Sequence, residues 1–406
     1  MRLKILSLLL VIVPMLAHAE PAGALSADSL KKSPDKEISA SVLLVSPGNK
    51  AYSAAGHLAI RMQYPAAVLD YCFTFEMDLQ DRPLRRFFFA DANAGFAAAP
   101  TEMFLSQYQK ERRTVMSYPL DMTHKEKQNL WRNLDNEIKK GPYRKFDIFK
   151  DNCTSSCVDI IMASLEADDI SEKDLSEEKN GFTRRDQLKS SLRQSPIYQM
   201  FWNFTLGGVE ADEKADSRCD TPLDAVTALM QTTVVDSIGS RTLLSRHASL
   251  LAGEMNPVSF EPSDLKNTML LLIGLMLIIF AATLTAANMR NALTQAGVVF
   301  DAFLIIVETI LGLWLTLMIF SNHSATGWNP YLLVFNLIPL TVWLLFRRNK
   351  HYGTIFGVFC IVAVIFVVAT PFIPCAQWPL QMLVITMAIR CLNRYFITNF
   401  EKKRRV

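Results

Sequence analysis

Cys153 lies in the run KFDIFKDNCTSSCVDIIMASL, and a Gly-His pair, Gly56-His57, lies far upstream in AYSAAGHLAIRMQ. A thiol and an imidazole together make a nucleophile and its base. The thiolate attacks, and the imidazole first removes a proton and later returns it to the leaving group. The spacing places Cys153 where a loop ends and an apolar-periodic helix begins. There the backbone N–H groups and the positive end of the helix dipole point at sulfur, which predicts a lowered thiol pKa. The same N–H groups can hold an oxyanion. A third group should orient the imidazole. Asp70 is the local choice, on the partner strand of a predicted hairpin and in a register that shares a face with His57.

Cysteine has other uses. In a helix it is commonly a small buried hydrophobe, and outside the cytoplasm it is commonly half of a disulfide. Cys72, Cys153, Cys157, Cys219 and Cys375 all fall on the oxidising side of the topology derived below, and an odd number leaves at least one unpaired. A Cys157–Cys219 bridge would leave Cys153 free. The Cys153/Cys157 spacing suits one helix face, but no second Cys/His pair completes a ligand set, so no metal is expected. There is no G-x-S-x-G elbow and no phosphate loop, which argues against a serine hydrolase of that type and against a bound cofactor.

Several elements must position these residues. SVLLVSPG reads as a strand ending in a turn. HLAIRMQ, YPAA and VLDYCFTFEM read as a hairpin with His57 at its start. Residues 124–140 read as a helix capped by Thr123, with Leu130, Trp131, Leu134 and Ile138 on one face. Asp151 or Asn152 caps the helix that begins at Cys153. GVEADEKADSRCD is polar and aperiodic, a loop or linker. The stretch from Ser39 to Phe204 is long enough for one compact domain.

The flanking segments predict export and a membrane. MRLKILSLLLVIVPMLAHAE has a basic start, an apolar stretch and a small-residue end, which predicts a signal peptide over 1–19. Five apolar runs follow the soluble part: Thr268–Ala287, Gly297–Phe320, Pro330–Phe346, Gly353–Ile373 and Pro379–Phe396. Each approaches the roughly 20 residues that cross a bilayer, the third being the shortest. Arg290, then Arg347, Arg348 and Lys350, then Lys402, Lys403, Arg404 and Arg405 follow alternate runs, while SNHSATGWN and PCAQW carry no Lys or Arg. Basic loops stay cytoplasmic, so five spans put the C-terminus inside and the soluble part outside, the same side that the signal peptide demands. The expected organisation is a signal peptide (1–19), a polar segment (20–38), a thiol domain (39–205), a linker with accessory helices (206–265), a membrane domain (266–397) and a basic tail (398–406). The net charge of +3 comes mostly from the inner loops and tail. No basic groove suggests nucleic acid.

At these residues the chain resembles the Lnb-type lipoprotein N-acyltransferases, of the Bacteroides type. AYSAAGHLAIR, DYCFTFEM and FDIFKDNCTSS are similar to the family's YSRFGHTALR, NYGTFDF and YDFLFDNCSTR. The resemblance continues through QKERRTVMSYPLDMTHKEK, CDTPLDAVTALMQTTVVDS and SNHSATGWNPYLLVFNLIP, so it covers most of the mature chain. Departures are Ala55 for the family's Phe, Asp70-Tyr71-Cys72 for its Asn-Tyr-Gly, and Ser156 for its Arg.

The resemblance implies an α+β fold, a circularly permuted papain-like (NlpC-like) thiol domain, followed by about five transmembrane helices. It implies an inner-membrane enzyme with its catalytic domain in the periplasm, with Cys153 as nucleophile and His57 as base. The acyl donor would be a phospholipid and the acceptor a diacylated lipoprotein. Two rivals remain open: a thiol hydrolase of lipid esters or cell-wall peptides, and a non-enzymatic envelope scaffold. Arg82, Arg85 and Arg86 beside Phe87–Phe89 suit a membrane surface, though the phenylalanines equally suit a core strand. Asp301 and Glu308 share a face of the second span, where carboxylates are costly and seek a partner or a polar cavity. His323, Trp328 and Asn329 are expected near the headgroups.

Overall fold

In the computed structural model the described residues lie within 38–404, excluding 79–82, 168, 172–182, 193–194, 215–220, 237–238, 245–247, 254–263, 292–294 and 346–351. The signal peptide, Arg82 and Cys219 lie outside them.

Among the described residues, ten strands and twelve α-helices follow one another. The outer part comprises β1 (Ser39–Val45), β2 (His57–Tyr64), β3 (Leu69–Met77), α1 (Pro83–Phe88), β4 (Asn93–Pro100), α2 (Thr101–Lys110), β5 (Val115–Pro119), α3 (His124–Lys140), β6 (Arg144–Lys145), α4 (Cys153–Met162), β7 (Asp169–Ser171), α5 (Arg184–Ser191), α6 (Pro196–Thr205), α7 (Pro222–Gln231), β8 (Thr233–Asp236), β9 (Gly239–Thr242) and β10 (Ala248–Leu251). The membrane part comprises α8 (Asp264–Asn291), α9 (Gln295–Met318), α10 (Ile338–Leu345), α11 (Tyr352–Ala369) and α12 (Trp378–Arg404).

A seven-stranded antiparallel sheet, in the order β10-β5-β1-β2-β3-β4-β6, is the frame. Side chains alternate between its faces. Leu44, Leu58, Ile60, Met62, Phe73 and Phe75 point one way and pack with Leu130, Trp131 and Leu134 of α3, Val158 and Ile161 of α4 and Val226 and Leu229 of α7. Leu43, Val45, Ala59 and Cys72 point the other way, under Phe104 and Tyr108 of α2. Both faces of the central strands are therefore covered. Thr123 caps α3 through a capping box with Glu126, as its sequence predicts. A smaller sheet, β7-β8-β9, lies apart from the large one in strand order.

Among the described residues, four helical stretches are long and apolar enough to cross a bilayer: Lys266–Ala287, Gln295–Met318, Gly353–Phe372 and Trp378–Ile397. The third predicted run is different. It splits into a 3-10 turn, Pro330–Leu333, and the eight-residue α10. Asn336 caps the break by accepting the Ile338 N–H at 3.0 Å, and Pro339 has no N–H to give. Segment 335–336 presses so closely on α9 that a Cβ on Gly312 would lie 2.8 Å from the Asn336 backbone. Among the described residues the five expected runs therefore stand as four long helices and one broken, shorter apolar segment.

The intramembrane carboxylates have separate fates. Asp301 receives Arg390 Nε at 2.6 Å and Arg394 Nε at 2.5 Å, so it is a structural tie between α9 and α12. Glu308 is buried and its Oε1 has no hydrogen-bond partner.

The two parts meet through an aromatic seam. Phe88 of α1 packs against Phe201 and Trp202 of α6 and against Trp314 of α9, with ring centroids 5.2–5.8 Å apart. Phe87 is buried beside Trp202. These phenylalanines form neither a core strand nor a free interfacial wedge. They lock the outer domain to the membrane helices. His323 and Asn329 are buried in the same junction, and of the three loop residues expected near headgroups only Trp328 is exposed.

Candidate active site

Gly56 makes the turn that delivers His57. Its φ is +93°, and a Cβ there would fall 2.9 Å from the Val45 carbonyl, so only glycine fits without strain. β1 and β2 pair as far as Val45↔His57, whereas β2–β3 pairing stops at Ala59↔Thr74. Beyond that point Leu58 turns its backbone to α4. The Cys157 thiol donates to the Leu58 carbonyl at 3.7 Å, and the Leu58 N–H faces the Cys153 sulfur.

Cys153 is the first residue of α4. Asn152 caps the helix, its Oδ1 accepting the Thr154 N–H at 2.7 Å and the Ser155 N–H at 2.9 Å, while Ser155 Oγ accepts the Asn152 N–H at 3.0 Å. Asn152 also donates through Nδ2 to the Ile148 carbonyl at 3.0 Å. The cap thus fixes both the helix start and the loop before it. Helix and strand bring Cys153 beside the His57–Leu58 backbone, two positions far apart in sequence. Cys153 and His57 are both half-buried.

On the other side of His57, Nε2 lies 2.5 Å from Thr74 Oγ1 of β3. Tyr108 stands with its ring centroid 6.4 Å from the imidazole. Arg113 lies over the Tyr108 ring, 4.8 Å from its centroid. Its Nε donates to the Ser46 carbonyl at 2.7 Å and its Nη1 to Glu111 at 3.2 Å, while Nη2 is buried without an acceptor. Sequence reasoning passed over Thr74, Tyr108 and Arg113. The visible signal was period two along β3, which puts Thr74 on the His57 face. Nothing local marks Arg113.

The electrostatics differ from expectation. Burial raises the Cys153 thiol pKa, and the Leu58 N–H, the Thr154 hydroxyl, the cysteine's own N–H and the Arg113 charge offset this only in part. Burial, and then Arg113, push the His57 pKa down to about 3. The helix N-terminus does favour the thiolate, but desolvation outweighs it. Both shifts favour the uncharged forms, a thiol at Cys153 and a neutral imidazole at His57.

Asp70 is not brought to this site. It shares the sheet face of His57 but lies opposite Gln63, at the other end of the hairpin. Its oxygens are held by Arg61 at 2.8 and 2.6 Å, Thr101 at 2.6 Å and Gln63 at 3.3 Å. Burial alone would raise its carboxyl pKa, yet the hydrogen bonds from Arg61 and Thr101 bring it below the usual value. Cys72, Cys153, Cys157 and Cys375 are free thiols, and Cys219, the bridge partner expected for Cys157, lies outside the described residues.

Residues 27–178 match the family model described as the Lnb N-terminal periplasmic domain, and residues 267–403 match that of the Lnb transmembrane domain. No curated protein and no solved structure matches the chain. The first matched segment contains His57, Cys153 and six of the seven strands of the large sheet, and the second contains the long apolar helices. The chain belongs to the Lnb family, as an inner-membrane protein with a periplasmic N-terminal domain.

Proposed function

We propose that this chain is a lipoprotein N-acyltransferase that moves an acyl chain from a phospholipid, through a thioester on Cys153, to the α-amine of a diacylglyceryl-cysteine lipoprotein. One observation carries this reading. The N-terminus of α4 meets the His57–Leu58 backbone in a domain locked against membrane helices, where lipid-anchored substrates can reach a thiol.

A neutral pair sets the order of proton transfers. His57 donates its Nε2–H to Thr74 Oγ1, which leaves the Nδ1 lone pair for the thiol proton. Nδ1 takes that proton as the sulfur attacks the ester carbonyl. The Leu58 and Cys153 N–H groups and the Arg113 charge stabilise the negative charge that develops. The tetrahedral intermediate collapses as imidazolium protonates the glycerol oxygen, and a lysophospholipid leaves. The lipoprotein amine then attacks the thioester carbonyl, His57 removes its proton, the amide forms and the thiol is restored. Thr74, rather than Asp70, is the orienting group.

The thiol domain is read as a circularly permuted papain-like fold, because a strand histidine precedes a helix-initiating cysteine packed on an antiparallel sheet. That likeness rests on analogy. The basic connections assign the C-terminus to the cytoplasm. The test is intact mass spectrometry of a diacylated lipoprotein incubated with phospholipid and the reconstituted protein, wild type beside Cys153→Ala. A Cys153-dependent gain of one acyl chain on the α-amine is expected. Cys153-dependent lysophospholipid and free fatty acid without that gain would replace the transferase by a deacylase.

A further inference from the structure

The loop that connects α9 to the broken third segment reaches the chain leading into Cys153. Asp147 is buried in that chain, and its two oxygens serve two partners. Oδ1 accepts the Phe149 and Lys150 N–H groups at 2.9 and 3.0 Å, inside the nucleophile loop. Oδ2 accepts the Ser324 N–H and the Ser324 hydroxyl, both at 3.0 Å, from the membrane domain. His323 backs the contact. It is buried, its Nε2 is 2.9 Å from the Phe87 carbonyl, and its Nδ1 is 3.8 Å from Oδ2, beyond hydrogen-bond reach. The Asp147 N–H closes the loop on the Asp151 carbonyl at 3.0 Å, one residue before the Asn152 cap.

We propose that Asp147 and Ser324 form a positioning latch, through which the membrane domain holds the Cys153 thiol in its reactive orientation. The latch rests on the reading of Cys153 as nucleophile. Docking alone does not require it. Asn329 donates to the Phe204 carbonyl, Asn203 to the Cys375 carbonyl, Gln377 to the Met200 carbonyl and Trp314 to Thr205 Oγ1. Those contacts tie α6 to the membrane domain, and none touches the segment before Cys153. The Ser324 contact adds little to the docking they provide, but it reaches the nucleophile loop. A carboxylate that joins a partner domain to the backbone amides of a catalytic loop transmits position. Displacement of a reacting group by about 1 Å costs on the order of 10²-fold in rate.

The experiment uses the full chain in phospholipid vesicles. Alkylation of Cys153 by iodoacetamide is followed between pH 5 and 10 by mass spectrometry of its peptide, alongside the melting temperature. Ser324→Ala and Asp147→Asn are expected to slow alkylation at pH 7 about tenfold and to move the thiol's titration upward, because the sulfur loses the Leu58 N–H and the helix N-terminus. Ser324→Thr keeps both donors and should keep the wild-type profile. Gln377→Ala breaks a docking contact and should lower the melting temperature without moving the profile. Should Asp147→Asn fail to fold, Ser324→Ala still decides. Wild-type profiles in Ser324→Ala, or an equal shift in Gln377→Ala, would overturn the latch and leave the nucleophile standing. Wild-type acyl transfer to the lipoprotein amine by Cys153→Ala would remove the nucleophile itself, and the latch with it.

Discussion

The β2–β3 hairpin carries polar side chains on one sheet face at both of its ends. At the Asp70 end the ladder is paired through Tyr64↔Leu69, and the carboxylate has partners in Arg61, Thr101 and Gln63. At the His57 end the β2–β3 ladder has stopped, the Leu58 backbone has turned to two cysteines, and Thr74 holds one imidazole nitrogen. Saturation marks a side chain that holds the fold. Spare proton capacity beside a thiol marks one that does chemistry, and perturbed titration in a half-buried cluster accompanies it.

The largest test of this contrast is Cys153→Ala. Acyl transfer should fall by at least about 10³-fold, to background, with the melting temperature preserved. Mass spectrometry of the lipoprotein product checks the first point and thermal denaturation the second. His57→Gln comes next, with a loss of about 10²–10⁴-fold, typical of removing a general base. Thr74→Val leaves His57 Nε2 without its hydrogen-bond partner, at a cost of about 1–3 kcal/mol, and a tenfold or greater loss of kcat should follow. An unchanged kcat in that variant would break the contrast, because it would show that the imidazole needs no partner on β3.

Arg113→Gln sharpens the contrast through pH. Arg113 depresses the His57 pKa to about 3 after burial has done most of the work, so its removal moves that pKa up toward the usual value near 6.5. The acid limb of kcat/KM should shift to higher pH in the variant, because the base is protonated sooner. Stability follows the same sign. In the wild type the unfolded chain protonates His57 first, so this contribution is complete above about pH 6.5 and declines as pH falls toward 3. The variant should lose less over that window.

Asp70→Asn should do least. The Asp70 side chain is 39% exposed, so losing the Arg61 pair should cost about 1 kcal/mol or less, and activity should stay within about twofold. A loss of activity as deep as that of Thr74→Val, without unfolding, would return Asp70 to the catalytic machinery.

Much of the architecture was legible in the residue order because local rules govern it. Thr123 three residues before Glu126, and Asn152 before Cys153, mark helix starts through capping groups that must be satisfied within one turn. Period two in HLAIRMQ and LDYCFTFEM gave the hairpin, and it put Asp70 and His57 on the same face. Sharing a face is not proximity, and the register alone separated them. The third apolar run had the composition of a span, but Pro339, Asn336 and the close pass over Gly312 broke its helix.

Sequence alone therefore singled out the candidates: a cysteine at a helix start, a histidine after a glycine, and apolar stretches long enough for a bilayer. These depend on neighbours within a few positions, where periodicity and capping are decisive. Tertiary structure alone decided the charge state of the pair, the partner of the imidazole, and the tie of Asp147 to Ser324. Each of these depends on burial or on contacts between segments far apart in the chain. Desolvation by the packed sheet and helices moves the thiol pKa up and the imidazole pKa down, both toward the uncharged form.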